Sequence, residues 1–194
     1  ITHDTYEEWA LDRVIGEKFY GARNSREFLK LLGSSLPIRR AFRIWLSEQL
    51  FENVNNVKAL VEESIIDDQT EAFWKDEVLI SVLLSDYAGS FFKDFEKKLL
   101  EDNEKLLMRM VFLLRIACKQ IDEHLLSLIG LKKSQGMVLN TVFTIPKGRG
   151  WELAIDFIHS HKEQFGTRNM NKILPLLTDW NNKYTVGDTT RRAS

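Results

Sequence analysis

Residues 34–50 read SSLPIRRAFRIWLSEQL, and this stretch predicts the fold of the chain more clearly than any other. Its mainly apolar side chains recur at i, i+3, i+4, i+7, i+8, i+11 and i+12, which places them on one face of a helix and not of a strand. Serines at the start can cap that helix, and the proline suits its first turn. The core-facing positions are Ile38, Ala41, Phe42, Trp45, Leu46, Gln49 and Leu50.

Similar patterns predict helices along most of the chain. Only 3 prolines and 10 glycines occur in 194 residues, so strong helix breakers are sparse. The longest predicted helix is apolar around most of its circumference and is expected at the centre of the packing. Besides the helix over 34–50, apolar spacing predicts helices at about 4–20, 25–32, 55–66, 71–87, 90–102 and 104–129, with two more after residue 150.

The expected fold class is therefore all-α, and two arrangements of the helices remain open. Short links make consecutive helices antiparallel neighbours, so helical hairpins are expected. These hairpins fit either a degenerate helical-repeat-like stack or an irregular bundle. The expected divisions are a linker segment at 1–22, a helical domain at 23–129, a long loop at 130–150 with a short extended piece, a C-terminal helical pair at 151–184, and a flexible tail at 185–194.

Composition excludes several classes of protein. The 27 basic and 28 acidic side chains give a net charge of -1, which argues against a nucleic-acid binder. A hydrophobic content of 44% allows a sizeable core. The single cysteine, Cys118, cannot form an intrachain disulfide, and no apolar run approaches the roughly 18 residues of a membrane span. We therefore expect a cytoplasmic domain without a membrane partner.

No motif in the sequence supplies a complete catalytic set. There is no phosphate loop of the form GxxxxGK[ST], so no nucleotide cofactor is expected in this chain. His159 and His161 are two residues apart, whereas a helical zinc pair needs a spacing of four, so no metal site is expected. Cys118 lies in the most apolar predicted helix and is expected to be a buried small hydrophobe. The chain is accordingly predicted not to be an enzyme.

Two basic groups are candidates for binding a partner. Arg39, Arg40 and Arg43 lie on the polar side of the helix over 34–50, where they form either a solvated face or a surface for an acidic partner. Lys147 and Arg149 flank a glycine just before a predicted helix. They mark either a flexible loop with solubilising charge or an anion site at a helix N-terminus.

The first ten residues, ITHDTYEEWA, carry a resemblance to a known family. They resemble the F-x-H-D-x-x-x-E-W/Y-A pattern near the end of the nucleotide-binding module of STAND ATPases, the signal-transduction ATPases with numerous domains that include NACHT and NB-ARC relatives. The resemblance implies that His3 approaches the diphosphate of a bound nucleotide and that Asp4 caps the helix that follows. Thr2 departs from the family, in which Met or Phe is frequent nearby. An ordinary helix cap is the alternative interpretation of this pair.

The position of the first methionine is consistent with a segment of a longer protein. The chain begins at Ile1 and its first methionine is Met108, so we expect the phosphate loop of such an ATPase to lie upstream. The predicted function is that of a non-catalytic helical part of a STAND-type ATPase. This part relays nucleotide state, or binds a protein partner or another copy through the parent, and ATP or ADP would bind only elsewhere in the parent. The alternative is a free-standing helical-repeat adaptor for protein–protein interaction.

Overall fold

The structure is a computed structural model that describes residues 3–128, 144–165, 167–184 and 187–194, with side chains described from residue 10 onward. Within these residues the fold is all-α, as predicted, and one small two-stranded sheet accompanies the helices. No helix in the described ranges is both long and apolar enough to cross a membrane.

The chain divides into two compact units, Ile1–Tyr87 and Ala88–Ser194. This boundary differs from the predicted ones, because it divides the expected helical domain at 23–129 and joins the expected linker at 1–22 to the first unit. The segment at 1–22 belongs to the first unit because the first helix packs against the other helices of that unit. Its Ile15 is fully buried, and its Phe19 ring lies 5.2 Å from the ring of Trp45.

Five helices form the first unit over its described residues, from 3 to 87, and the ends of several follow from local capping. The Asn24 side chain accepts a hydrogen bond from the Glu27 amide at the start of the second helix, and Gly33 ends that helix at φ 80°. The fifth helix ends at Leu84, three residues before the predicted end, and the hydroxyl of Ser85, the next residue, donates to the Val82 carbonyl. The helices are α1 (His3–Gly21), α2 (Ser25–Leu32), α3 (Leu36–Glu52), α4 (Val54–Ile66) and α5 (Ala72–Leu84).

A cluster of aromatic rings forms the centre of this unit. Trp45 of α3 is only 4% exposed, and its ring centroid lies 5.7 Å from Phe28 and 6.0 Å from Phe42. Phe42 in turn meets Trp74 of α5 edge-to-face at 5.0 Å. Such aromatic contacts add to the stabilisation that burial of the rings provides. The face of α3 predicted to be apolar is therefore the face that packs.

A single glycine inside α1 gives a test of how closely α1 packs on α3. A Cβ at Gly16 would lie 3.8 Å from Trp45 Nε1, which is ordinary van der Waals contact. Because glycine in a helix interior costs about 0.5–1 kcal/mol relative to alanine, Gly16→Ala is expected to raise the free energy of unfolding by that amount. Urea denaturation measures it. Gly33→Ala is the control, expected to be destabilising because of its φ of 80°. A loss of stability in Gly16→Ala would contradict this packing.

The second unit contains eight further helices and one small sheet within its described residues. Two short antiparallel strands pair Lys119 with Pro146 and Ile121 with Thr144. A short 3₁₀ turn (Asp102–Glu104) precedes the central helix. In chain order the elements are α6 (Ala88–Asp94), α7 (Glu96–Leu100), α8 (Lys105–Ala117), β1 (Lys119–Ile121), α9 (Glu123–Leu128), β2 (Thr144–Pro146), α10 (Gly150–Ser160), α11 (Lys162–Phe165), α12 (Met170–Asn181) and α13 (Asp188–Ala193).

The prediction of one helix over 104–129 is wrong. The helix α8 ends at Ala117, and Cys118 leaves helical geometry with φ −100° and ψ 53°. The Cys118 carbonyl accepts from the Lys147 amide at 2.9 Å and from Trp151 Nε1 at 2.7 Å, so the chain turns into β1. The extended piece expected in the loop is present as β2 at Thr144–Pro146, and residues 130–143 of that loop lie outside the described part.

Two helices of the second unit run parallel to each other. The Asn103 side chain accepts from Arg168, and the Asn169 side chain donates to Glu104 at 3.0 Å. At the other end of the pair, Arg115 Nε donates to Asp179 at 2.9 Å. The residues that pair are 64 or 65 positions apart in the chain at both ends of the two helices. Therefore α8 and α12 lie side by side and point the same way.

Residues 188–193 of the segment that was predicted to be a flexible tail, 185–194, form the helix α13. Ala193 is buried, and the Thr190 hydroxyl accepts from Trp180 Nε1 at 3.2 Å. Arg192 pairs with Asp156 of α10 at 2.7 Å. These contacts hold a polar segment that has no apolar periodicity of its own. Residues 185 and 186 lie outside the described part.

Candidate protein-interaction surface on α3

A buried carboxylate lies beside two of the arginines that the sequence singled out. Glu77 of α5 is only 2% exposed. Its Oε1 accepts from Arg39 Nε at 3.1 Å and from Arg39 Nη2 at 2.9 Å. Its Oε2 accepts from Arg43 Nε at 2.9 Å and from Arg43 Nη2 at 2.7 Å. We call Arg39, Glu77 and Arg43 the charge triad.

The charge triad explains why an acid can be buried in the first unit. An isolated buried carboxylate is costly, and paired guanidinium groups with complete hydrogen bonding offset that cost. Arg39 also lies over the Phe73 ring, 4.9 Å from its centroid. Two positive charges face one negative charge, so the triad is left with a net positive charge. The guanidinium groups of Arg39 and Arg43 therefore form ion pairs with Glu77 within the protein. They do not serve only as a solvated face of the helix.

Hydroxyl groups extend the charge triad into a network between α3 and α5. Ser81 Oγ donates to the Glu77 carbonyl at 2.9 Å and lies 3.2 Å from the Arg43 carbonyl. Ser47 Oγ donates to the same Arg43 carbonyl at 2.8 Å. A polar network that is satisfied in this way fixes the rotation of α3 about its axis. It therefore determines which residues of α3 face outward.

The outward side of α3 carries an unusual mixture of residues. Leu36, Ile44 and Phe51 are 61%, 46% and 75% exposed, although all three are large and apolar. Two exposed charged residues, Arg40 and Glu48, lie between them. The steps between successive members are 4, 4, 4 and 3 residues, so all five lie along one side of the helix. We call these five residues the outer stripe.

The two charges of the outer stripe give it opposite polarity at its two halves. Arg40 follows Arg39 directly and lies about one helical turn before Arg43, so the N-terminal half is basic. The C-terminal half is acidic, because Glu48 lies near two further acids, Asp12 and Glu52. Burial, then Asp12, then Glu52 raise the pKa of Glu48 above its usual value. The stripe therefore offers a partner apolar contacts together with two charges of opposite sign.

The other basic candidates lie in the second unit. Lys147 follows β2, and its amide donates to the Cys118 carbonyl at 2.9 Å. Gly148 adopts φ 86°, and Arg149 comes directly before α10. The side chains of Lys147 and Arg149 are exposed. The structure thus places them on one turn, apart from the arginines of α3 in the chain, and an anion site there stays a prediction.

Within the described residues, His161, Cys118 and the cleft between α2 and α4 do not form an assembled catalytic group. His161 lies 3.0 Å from Glu96 and 2.9 Å from the Phe157 carbonyl, and Cys118 is fully buried as expected. A cleft of about 520 Å³ between α2 and α4 is lined by charged groups, of which Arg26 pairs with Asp67 at 2.9 Å. In the described ranges, no three His, Cys, Asp or Glu residues are grouped so that they could hold a metal ion.

The nucleotide-sensing role of His3 is not tested by the structure. The backbone of His3 begins α1, and its side chain lies outside the described part. No protein-family model matches the chain, and no curated protein matches it. The STAND ATPase resemblance of the first ten residues therefore stays a prediction.

Glu77 is the residue of the charge triad that sequence reasoning missed. A signal for it was present, because Trp74, Glu77, Val78 and Ser81 share the spacing of a single helix face. An acid on an apolar face needs a cation from another helix. The sequence shows that Glu77 requires a cationic partner, but it does not show which arginine is that partner.

Proposed function

We propose that this chain is a non-catalytic helical domain that binds a protein partner through the outer stripe of α3. The observation that carries the proposal is the exposure of Leu36, Ile44 and Phe51 along one side of a single helix. An aligned set of exposed apolar residues with charges between them is typical of protein-interaction surfaces. A solvent-facing helix side ordinarily carries polar residues at these positions.

The charge triad supports this proposal because it holds the outer stripe in a fixed orientation. Arg39 and Arg43 each donate two hydrogen bonds to Glu77 of the neighbouring helix. A surface that is already rigid loses less conformational entropy when a partner binds. The two arginines are thus assigned a positioning role, whereas Arg40 is assigned direct contact with the partner.

A relay of nucleotide state belongs to the proposal through α1. The residues that resemble a STAND ATPase lie at the start of α1, and α1 packs on α3 through Phe19 and Trp45. Movement of α1 would reach α3 through this contact. In this arrangement ATP or ADP would bind in the parent protein, and the outer stripe would present the result to a partner. A cytoplasmic location remains part of the prediction.

A free-standing helical-repeat adaptor is the second candidate, and the same stripe would serve it. The two candidates differ in what precedes Ile1 in the parent reading frame. The ATPase candidate requires a GxxxxGK[ST] phosphate loop upstream, and a reading frame without one would leave only the adaptor.

The proposed function predicts a site-specific interaction at Ile44. A photo-crosslinking residue placed at Ile44 in the parent protein, expressed in its own cells, is expected to capture a partner that the same residue at Ile66 does not capture. Ile66 is the matched control because it is an isoleucine of the same unit, 57% exposed, on α4. The captured protein is then purified and its affinity measured directly. Ile44→Asp is expected to weaken binding by at least about tenfold, and Ile66→Asp by less than about twofold.

Equal effects of the two substitutions would contradict the proposed function, since they would show that the outer stripe is not the binding surface. Circular dichroism of both variants is needed to show that the helices remain folded.

A further inference from the structure

We propose that the outer stripe binds the outer stripe of a second copy of this chain, with the two α3 helices antiparallel about a two-fold axis at Ile44. This inference rests on the proposed function, because it names the partner of the same surface. The evidence is the order of residues along the stripe, their exposure and their charges.

The order of apolar and charged residues along the outer stripe is complementary to the same order on a second helix that runs in the opposite direction. It reads apolar, basic, apolar, acidic, apolar from Leu36 to Phe51. When a second helix runs in the opposite direction about a centre at Ile44, residues whose numbers sum to twice 44 face each other. Arg40 then faces Glu48 of the second copy, and Ile44 faces its own equivalent. By the same sum Leu36 faces Glu52 of the second copy, and Phe51, the residue before Glu52, is the apolar side chain beside Leu36.

The antiparallel direction follows from the charges. In a parallel pair, Arg40 would face Arg40 and Glu48 would face Glu48, so both contacts would be repulsive. In the antiparallel pair both contacts are attractive, and each occurs twice because of the two-fold axis. A two-fold interface of this kind closes on itself and produces a dimer, whereas a head-to-tail contact can continue into a filament.

The acidic surroundings of Glu48 also favour the binding of a cationic side chain from a second copy. Asp12 and Glu52 are the acids that act on it within its own unit. An arginine from a second copy would reduce this repulsion among like charges. Arg40, on the other half of the stripe, is exposed and belongs to the basic group that includes the charge triad. Each half of the stripe thus has an excess of the charge that the other half needs.

The length of α3 is sufficient for such a contact. The helix has 17 residues, so it is about 25 Å long. Its three large apolar residues would be buried at the centre and at both ends, with the charges between them. Burial of apolar side chains supplies most of the favourable free energy of association, and the charge pairs supply direction and register.

Charge exchange gives the sharpest test. Sedimentation equilibrium of the chain is expected to show a monomer–dimer equilibrium. Arg40→Glu and Glu48→Arg are each expected to weaken dimerisation by about tenfold or more, because each places two like-charged contacts in the interface. The double variant R40E/E48R restores both attractive contacts and is expected to return to within about threefold of the wild-type dissociation constant.

Two further variants separate surface effects from loss of folding. Ile44→Asp places two carboxylates at the two-fold axis and is expected to abolish the dimer. Ile66→Asp, on α4, is the matched control and is expected to leave the dimer unchanged. A short bismaleimide crosslinker is expected to join chains that carry Ile44→Cys but not chains that carry Phe51→Cys, because only position 44 faces itself. The native Cys118 is buried, so the chain without an added cysteine serves as the blank.

Three results would overturn the self-pairing. The first is a wild-type chain that remains monomeric up to about 1 mM, a concentration at which a contact worth about 4 kcal/mol would be detected. The second is a double charge variant that does not recover dimerisation. The third is efficient crosslinking through Phe51→Cys. If the chain is monomeric but Ile44 still captures a different protein in an Ile44→Asp-sensitive way, the self-pairing fails and the proposed function stands. If both are absent, both proposals fail.

Discussion

Replacing Arg39 and Arg43 together by methionine is expected to lower the free energy of unfolding of the first unit by about 3–5 kcal/mol. The double variant leaves the Glu77 carboxylate, which is 2% exposed, without the four hydrogen bonds that it now accepts. Removing the partners of a buried charge is among the most destabilising changes a protein can undergo. Urea denaturation followed by circular dichroism measures the effect from the shift in the midpoint.

The control for this experiment is the removal of the acid as well. Adding Glu77→Met to the double variant is expected to recover most of the lost stability, since a buried ionic group can often be replaced by apolar side chains of similar size without cost. A double variant within about 1 kcal/mol of wild type would show that Glu77 is not buried with these arginines. Failure of the triple variant to recover would show that the methionines do not pack in the vacated space.

The second large effect is expected at Trp45. Trp45→Ala should destabilise the first unit by about 3–5 kcal/mol, because it removes a large ring from the centre of the aromatic cluster and leaves a cavity. Its ring now lies within 5.2–6.0 Å of the rings of Phe19, Phe28 and Phe42, measured between centroids. The same urea denaturation measures the effect.

An exposed isoleucine outside the outer stripe provides the matched control. Ile66→Ala changes a side chain that is 57% exposed on α4 and should alter stability by less than about 0.5 kcal/mol. A loss below about 1 kcal/mol for Trp45→Ala would mean that α3 faces the other way. In that case Ile44 would lie in the core, and the outer stripe would not be a surface.

Local signals explain why part of the fold was predictable from the sequence. The start of α2 depends on Asn24, three residues before the amide that it caps, and its end depends on Gly33. The buried face of α3 depends on the spacing of its own apolar residues. Both signals lie within a few residues of the structure that they specify, so they can be read without knowledge of tertiary contacts.

The largest features that sequence reasoning missed depend on residues far apart in the chain. The helix α8 ends at Ala117 because Cys118 pairs with Lys147 and Trp151, which lie some thirty residues later. The charge triad joins Glu77 to Arg39 and Arg43 across separations of 38 and 34 residues. The same is true of α13, whose polar sequence is held by contacts with α10 and α12. Periodicity does not identify such partners, because it describes one segment at a time.

The parallel pairing of α8 with α12 has a consequence for the order in which the chain folds. The main contacts of the first unit join helices that are one or two apart in the chain, such as α1 with α3 and α3 with α5. These close shorter loops than the loop of about 65 residues that separates the paired residues of α8 and α12. During synthesis α8 leaves the ribosome well before α12 is made. Apolar side chains of α8, including Met108 and Val111, therefore lack their full set of packing partners until then. The second unit is therefore expected to fold later and to depend more on chaperones than the first.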